Sequence, residues 1–194
     1  MENLLKIVTE CLDRFSEKFQ TKRLAAIIGG EAVILHGIPR TTIDSDVLLH
    51  FENHSDTLCR EFASFLQNEL GSRFEIRYFR SARDLSDPIR HDLIIITDVE
   101  NRFKKLDILI ANYKWEIEGL CKTESPYAGS LRIYPKVYLI GMKLIAGGAQ
   151  DAEDIRNLFL IMSESEKQEA FQLAKMIRRD RNLSEILNRR RRNR

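Results

Sequence analysis

IIGGEAVILHGIPRTTIDSDVLL, residues 27–49, changes character three times along its length. The apolar run Leu24-Ala25-Ala26-Ile27-Ile28 stops abruptly at Gly29-Gly30, which reads as a buried strand entering a tight turn. Glu31 to His36 then suits a short helix closed by Gly37, and Pro39 blocks its simple continuation. Next comes IDSDVLLHF, residues 43–51, a second strand. Successive strand side chains point to opposite faces, so Asp44 and Asp46 project together while Ile43, Ser45 and Val47 point away. Two anions so close raise one another's pKa, a cost that a bound divalent cation removes. Mg²⁺ takes one or two protein carboxylates and completes its shell with water and phosphate oxygens, which is what this pair offers. Gly29-Gly30, after a strand and before a helix, lets a backbone turn approach a phosphate with no side chain in between. Arg40 and Thr42 precede the acidic strand, where a guanidinium can fork onto phosphate oxygens or brace the loop.

Working outward, Leu4, Leu5, Val8, Leu12, Phe15 and Phe19 recur at helical spacing behind the cap candidate Asn3. Leu58, Phe62, Phe65, Leu66 and Leu70 mark another amphipathic helix ending at Gly71, followed by the strand-like FEIRYF. Asp92 to Thr97 and Lys105 to Ile110 flank the turn-rich DVENR, predicting adjacent antiparallel strands. Past Tyr113 the pattern changes. A loop containing Ser125, Pro126 and Gly129 leads to helical periodicity in PKVYLIGMKLIA, in AEDIRNLFLIM, and in a segment opened by the capping box Ser163 to Glu166. The expected organisation is a core over residues 1–125 and a helical C-terminal subdomain with a basic tail over 126–194, without internal repeats.

At 194 residues, 43% hydrophobic, the chain can bury one substantial core. No apolar run approaches the roughly 20 residues that cross a bilayer, and acidic residues interrupt MENLLKIVTECLDRF, so a soluble, unexported, cytoplasmic protein is expected. Cys11, Cys59 and Cys121 are odd in number, far apart and without a CxxC pair, which suggests neither a disulfide framework nor a zinc site. A net charge of +2 does not by itself point to nucleic acid. Basic residues gather in KMIRRDRNLSEILNRRRRNR, readable as a solvated, frayed terminus or as a phosphate-tracking arm.

Taken together, residues 27–49 resemble the signature of the nucleotidyltransferase superfamily, the fold shared with DNA polymerase β and the aminoglycoside-modifying nucleotidyltransferases: strand, Gly-Gly, short helix, then hDhDh with h apolar. The fuller string GG-x-A followed by HG-x-P-R-x-T-x-D-x-D looks most like the AbiEii-like toxin nucleotidyltransferases and their bacterial and archaeal relatives. Ser45 departs from the pattern, where an apolar residue is usual; as it points off the metal face, a packing adjustment is expected. The resemblance implies an α+β fold, a mixed sheet flanked by helices and followed by a helical C-terminal part. It also implies a third carboxylate from a neighbouring strand. Asp107, inside the apolar KLDILI, is the choice over Asp92, which stands at a strand start where a solvated or turn role is ordinary.

Lys143 shares a partly apolar helical face with Lys136, Leu139 and Ile140. GMKLIAGGAQDAEDIRNLF resembles the family's KL-x-A followed by D-x-x-D-I, which implies that Lys143 binds the triphosphate and that Asp151 or Asp154 orients it or the base. A snorkelling surface lysine and an N-cap aspartate are the plainer alternative. His36 reads as structural, and Trp115 with Tyr113 and Tyr127 as core or as a stacking surface. The implied reaction is metal-dependent transfer of a nucleoside monophosphate from an NTP such as ATP, with Mg²⁺ or Mn²⁺ held by Asp44, Asp46 and Asp107. Gly29, Gly30, Arg40, Thr42, Lys143 and Asp154 would cradle the nucleotide. The acceptor stands open between tRNA or other RNA in a toxin-like role with an antitoxin partner, another protein, and a small molecule such as an antibiotic. A non-catalytic module binding RNA or a partner protein is the competing class, and oligomerisation through the helical part is open.

Overall fold

The hairpin DVENR turns because Asp98 is buried and fully engaged: its carboxylate accepts from Arg73 Nε and Nη2 at 3.2 and 3.1 Å and from the backbone amides of Glu100, Arg102 and Phe103. On either side of it, strands β4 (Leu93–Asp98) and β5 (Lys105–Ile110) pair antiparallel as expected. The structure is a computed structural model that describes residues 4–81, 90–123, 126–128 and 131–188.

The remaining elements are α1 (Leu4–Lys18), β1 (Arg23–Ile27), α2 (Gly29–Leu35), β2 (Asp44–Phe51), α3 (Asp56–Leu70), β3 (Phe74–Phe79), α4 (Lys114–Cys121), β6 (Pro126–Ala128), β7 (Leu131–Ile133), α5 (Lys136–Ala146), α6 (Ala149–Ile161), α7 (Glu164–Met176) and α8 (Asp180–Asn188). They form one mixed seven-stranded sheet in the order β3-β4-β5-β2-β1-β7-β6 with a helical C-terminal region, an α+β fold. β2 runs parallel to β5 and antiparallel to β1, and β1 runs parallel to β7. The helix ends obey their sequence signals. Ser55 accepts from Leu58 N at 3.1 Å to open α3, and Ser163 with Glu166 forms the reciprocal box that opens α7.

Phe15, Phe51 and Phe62 lock α1, β2 and α3 together, with ring centroids 4.9–5.6 Å apart and all three fully buried. Three stretches differ from the sequence reading. The segment after residue 125, expected as a loop, contributes β6 and β7 to the sheet. Residues 114–121, given no element in advance, form α4, because the Glu116 carboxylate satisfies the amides of Asn112 and Tyr113 at its start. The basic terminal run contains α8, with Leu183 buried and Ile186 and Leu187 packed against the core. Ser125 and Gly129, the ring of Tyr127 and the arginines of 189–194 lie outside the described residues.

Candidate active site

Parallel pairing of β2 with β5 sets Asp46 directly opposite Asp107 and Asp44 opposite Lys105. Alternation along each strand then turns Asp44, Asp46 and Asp107 to one face, where one carboxylate oxygen from each lies within 4.8 Å of the others. Ser45 faces the other way and donates to Glu31 Oε2 at 2.6 Å, which pins β2 to the first turn of α2. Asp92, the alternative third carboxylate, is elsewhere. It is buried rather than solvated, accepting from Tyr78 Oη at 2.6 Å and from the amide of Ser81 at 2.7 Å.

The acidic face is under electrostatic load. Burial first, then the charges of Asp44 and Asp107, push the Asp46 carboxyl from an ordinary 3.8 up to about 6, while Lys105 and Lys143 pull it back. Lys105 Nζ donates to Asp107 Oδ2 at 2.7 Å, but Asp107 Oδ1 is buried without any hydrogen-bond partner. An orphaned buried carboxylate oxygen beside two more carboxylates is a donor set suited to a hard divalent cation such as Mg²⁺ or Mn²⁺.

The glycines bring backbone against this face. Gly29 has φ +62°, and a Cβ there would meet Asp46 Oδ2 at 1.9 Å. A Cβ on Gly30 would meet Arg40 Cζ at 2.9 Å and Thr42 Oγ1 at 3.0 Å. Thr42 Oγ1 donates toward the backbone oxygen and Oδ1 of Asp44, at 3.0 and 3.1 Å, and so orients that carboxylate.

A second cluster explains the lysine in α5. Lys143 is 5% exposed and donates to Asp154 Oδ2 at 2.6 Å and to Asp151 Oδ1 at 3.2 Å. Asp154, 1% exposed, also accepts from Arg40 Nη1 and from Gln150 Nε2. Two cations and two carboxylates therefore tie the loop before β2 to the α5–α6 corner. Lys143 is a buried, paired lysine and not a snorkelling one. His36 is structural in its contacts, its Nε2 lying 2.8 Å from the carbonyl oxygen of Tyr134.

Between the acidic face and α5 runs an open cleft of about 550 Å³. Gly29, Asp46, Lys143 and Asp151 line it, together with Arg90, His91, Glu116 and Arg179. Glu116 Oε1 lies 2.7 Å from His91 Nε2, a contact that places a proton on that nitrogen. Sequence reading did not single out these last four residues. Nothing in local spacing links positions so far apart, although the i, i+2 alternation of Lys105 with Asp107 does place that lysine on the metal-facing side. Tyr113 and Trp115 stack at 6.3 Å, with Trp115 buried in the core.

Fold and site thus define an α+β protein with a three-carboxylate face, a glycine turn packed onto it and a buried lysine lining the same cleft as Asp46. No protein-family model matches the chain, and no curated protein matches it. Among solved structures it is similar to an antigenic nucleotidyltransferase-like protein from Paracoccidioides brasiliensis, at 17% identity over 95% of this chain and 92% of that one, with a TM-score of 0.45. It is also similar to MenT4, a nucleotidyltransferase toxin from Mycobacterium tuberculosis, at 13% identity, 88% and 62% coverage and a TM-score of 0.44. The antibiotic-resistance factor ANT(2'')-Ia gives 12% identity, 99% and 94% coverage and a TM-score of 0.41. All three are distant, and the chemistry of the site is read from its own geometry.

Proposed function

We propose that the chain is a metal-dependent nucleotidyltransferase, moving a nucleoside monophosphate from an NTP to an acceptor hydroxyl with release of pyrophosphate. The observation that carries this reading is the juxtaposition of Asp44, Asp46 and Asp107, with one buried carboxylate oxygen unpartnered, against the side-chain-free turn at Gly29. Asp44, Asp46 and Asp107 would hold Mg²⁺ or Mn²⁺, which when bound supplies charge neutralisation at the triphosphate and acidifies an acceptor hydroxyl.

The remaining roles belong to the protein. Thr42 fixes the Asp44 carboxylate, and the backbone at Gly29 and Gly30 admits phosphate oxygens where any side chain would intrude. Lys143 lines the cleft beside Asp46 and presents positive charge to the triphosphate, with Asp151 and Asp154 setting its position. Arg40 is held by the same Asp154, so the loop before β2 and α5 act as one electrostatic unit.

For the acceptor we favour RNA, including a tRNA end, in a toxin-like role with an antitoxin partner, as in the AbiEii-like subgroup that the sequence resembles. Arg179 on the cleft, together with the arginine-rich sequence that follows α8, supports that choice. A small-molecule hydroxyl is the alternative acceptor. Among the described residues no helix is long and apolar enough to cross a membrane, in keeping with a cytoplasmic setting. Equilibrium binding of ATP and the other NTPs with and without Mg²⁺ separates this reading from a non-catalytic module: binding should require the metal and be lost in Asp44→Ala/Asp46→Ala. Binding indifferent to both would favour the module.

A further inference from the structure

Beyond the end of β2, on the side of the sheet's strand ends away from Asp44 and Asp46, three donors of different chemistry converge. His54 follows β2, Cys59 lies in the first turn of α3, and Asp92 leads into β4, where its carbonyl accepts from Ile110 N at the end of β5. One ligand atom from each lies within 4.8 Å of the others. We propose that His54, Cys59 and Asp92 form a second metal site, separate from the acidic face, for a borderline-soft divalent ion of the Zn²⁺ class.

The donor set selects the ion. Imidazole nitrogen, thiolate and carboxylate together suit Zn²⁺, whereas Mg²⁺ takes oxygen ligands and belongs on the acidic face. Ligands bound tetrahedrally at roughly 2.0 Å for nitrogen and roughly 2.3 Å for sulfur stand about 3.5 Å apart. His54 Nδ1 and Cys59 Sγ are 3.5 Å apart. A thiol–imidazole hydrogen bond accounts for that pair alone; it gives no reason for a buried carboxylate to sit within reach of both. Asp92 is also held as a metal ligand needs to be, one oxygen by Tyr78 Oη and the other by the Ser81 amide.

Without an ion Cys59 stays a thiol, since burial and then the nearby Asp92 and Asp56 charges push it up to about 12. Loading replaces the thiol proton: the S–H bond breaks, an S–metal bond forms, and one proton leaves to solvent. His54 is exposed, so an ion enters from solvent and keeps a water in the fourth position. The bound ion would join the turn after β2, the start of α3 and the residue beside His91, and so brace the cleft wall that His91 and Glu116 form. No local motif announces this site, because its ligands come from separated positions and not from a CxxC.

Co²⁺ is the probe, titrated into the full chain with Mg²⁺ in excess to occupy the acidic face. Wild type should take up one equivalent, with a thiolate-to-cobalt charge-transfer band and tetrahedral visible absorption, and should melt at a higher temperature. Zn²⁺ should bleach both bands. The charge-transfer band should vanish in Cys59→Ser and persist in Asp46→Asn and Cys121→Ser. His54→Gln, at an exposed position that leaves folding intact, should weaken Co²⁺ binding by at least about tenfold. No charge-transfer band in wild type, its survival in Cys59→Ser, or unchanged affinity in His54→Gln would overturn the proposal.

Discussion

At Asp46 the requirements of stability and chemistry oppose each other. Its folded-state pKa of about 6 lies above the ordinary 3.8 because burial and two neighbouring carboxylates penalise its charge. A group shifted upward stabilises the fold fully only below its unfolded pKa, and that contribution is lost as pH rises through the folded value. Asp46 therefore works against the metal-free fold above about pH 6, and metal binding reverses the effect. Asp46→Asn should raise the stability of the metal-free protein at about pH 7 by on the order of 1–2 kcal/mol, measured by urea unfolding with chelator present. The same substitution should remove the Mg²⁺-dependent rise in melting temperature that wild type shows, a rise that fades as the pH falls through about 6. If Asp46→Asn destabilised the metal-free protein, the assigned electrostatic load would be wrong. Gly29 belongs to the same compromise: its φ of +62° and the 1.9 Å from a notional Cβ to Asp46 Oδ2 leave no substitution that keeps the carboxylate in place.

Among the elements, the α5–α6 corner is held by charge as well as by packing. Removing the carboxylate in Asp154→Ala leaves Lys143 and Arg40 facing each other with Asp151 as the remaining anion, so the loss should be about 3–5 kcal/mol in chemical denaturation. A loss under about 0.5 kcal/mol, the range of ordinary surface changes, would contradict it. This corner also marks the limit of what sequence discloses. Helices long enough to repeat an apolar face, such as α1 with Leu4, Leu5, Val8, Leu12 and Phe15, are legible because 3.6-residue periodicity is a local property. β6 and β7 are three residues each, too short for alternation to register. α4 has two turns and starts from Glu116 reaching back to Asn112 and Tyr113, a contact that composition does not announce. α8 is obscured in the sequence by the arginines that flank it, although Leu183, Ile186 and Leu187 keep the i, i+3, i+4 spacing.

Over the whole molecule the cleft is a product of topology. Asp44 and Asp46 are legible as a pair because both sit on one strand, and Asp107 stands out as a charge in an apolar run. Their convergence depends on the parallel register of β2 with β5, which only the folded sheet supplies. Arg90, His91, Glu116 and Arg179 reach the same cleft from segments with no sequence relationship to the acidic motif, so that wall was invisible beforehand. A group transfer needs donor and acceptor in one groove, and this one is lined by Asp46 of the three-carboxylate face and by Lys143. The direct test is incubation of wild type and Asp44→Ala/Asp46→Ala with each α-labelled NTP, Mg²⁺ and total cellular RNA, followed by separation of RNA, protein and small molecules. Label carried into RNA by wild type and not by the variant is the predicted result; label in no fraction, with aminoglycosides also offered and a working control enzyme alongside, would contradict the assignment as a nucleotidyltransferase.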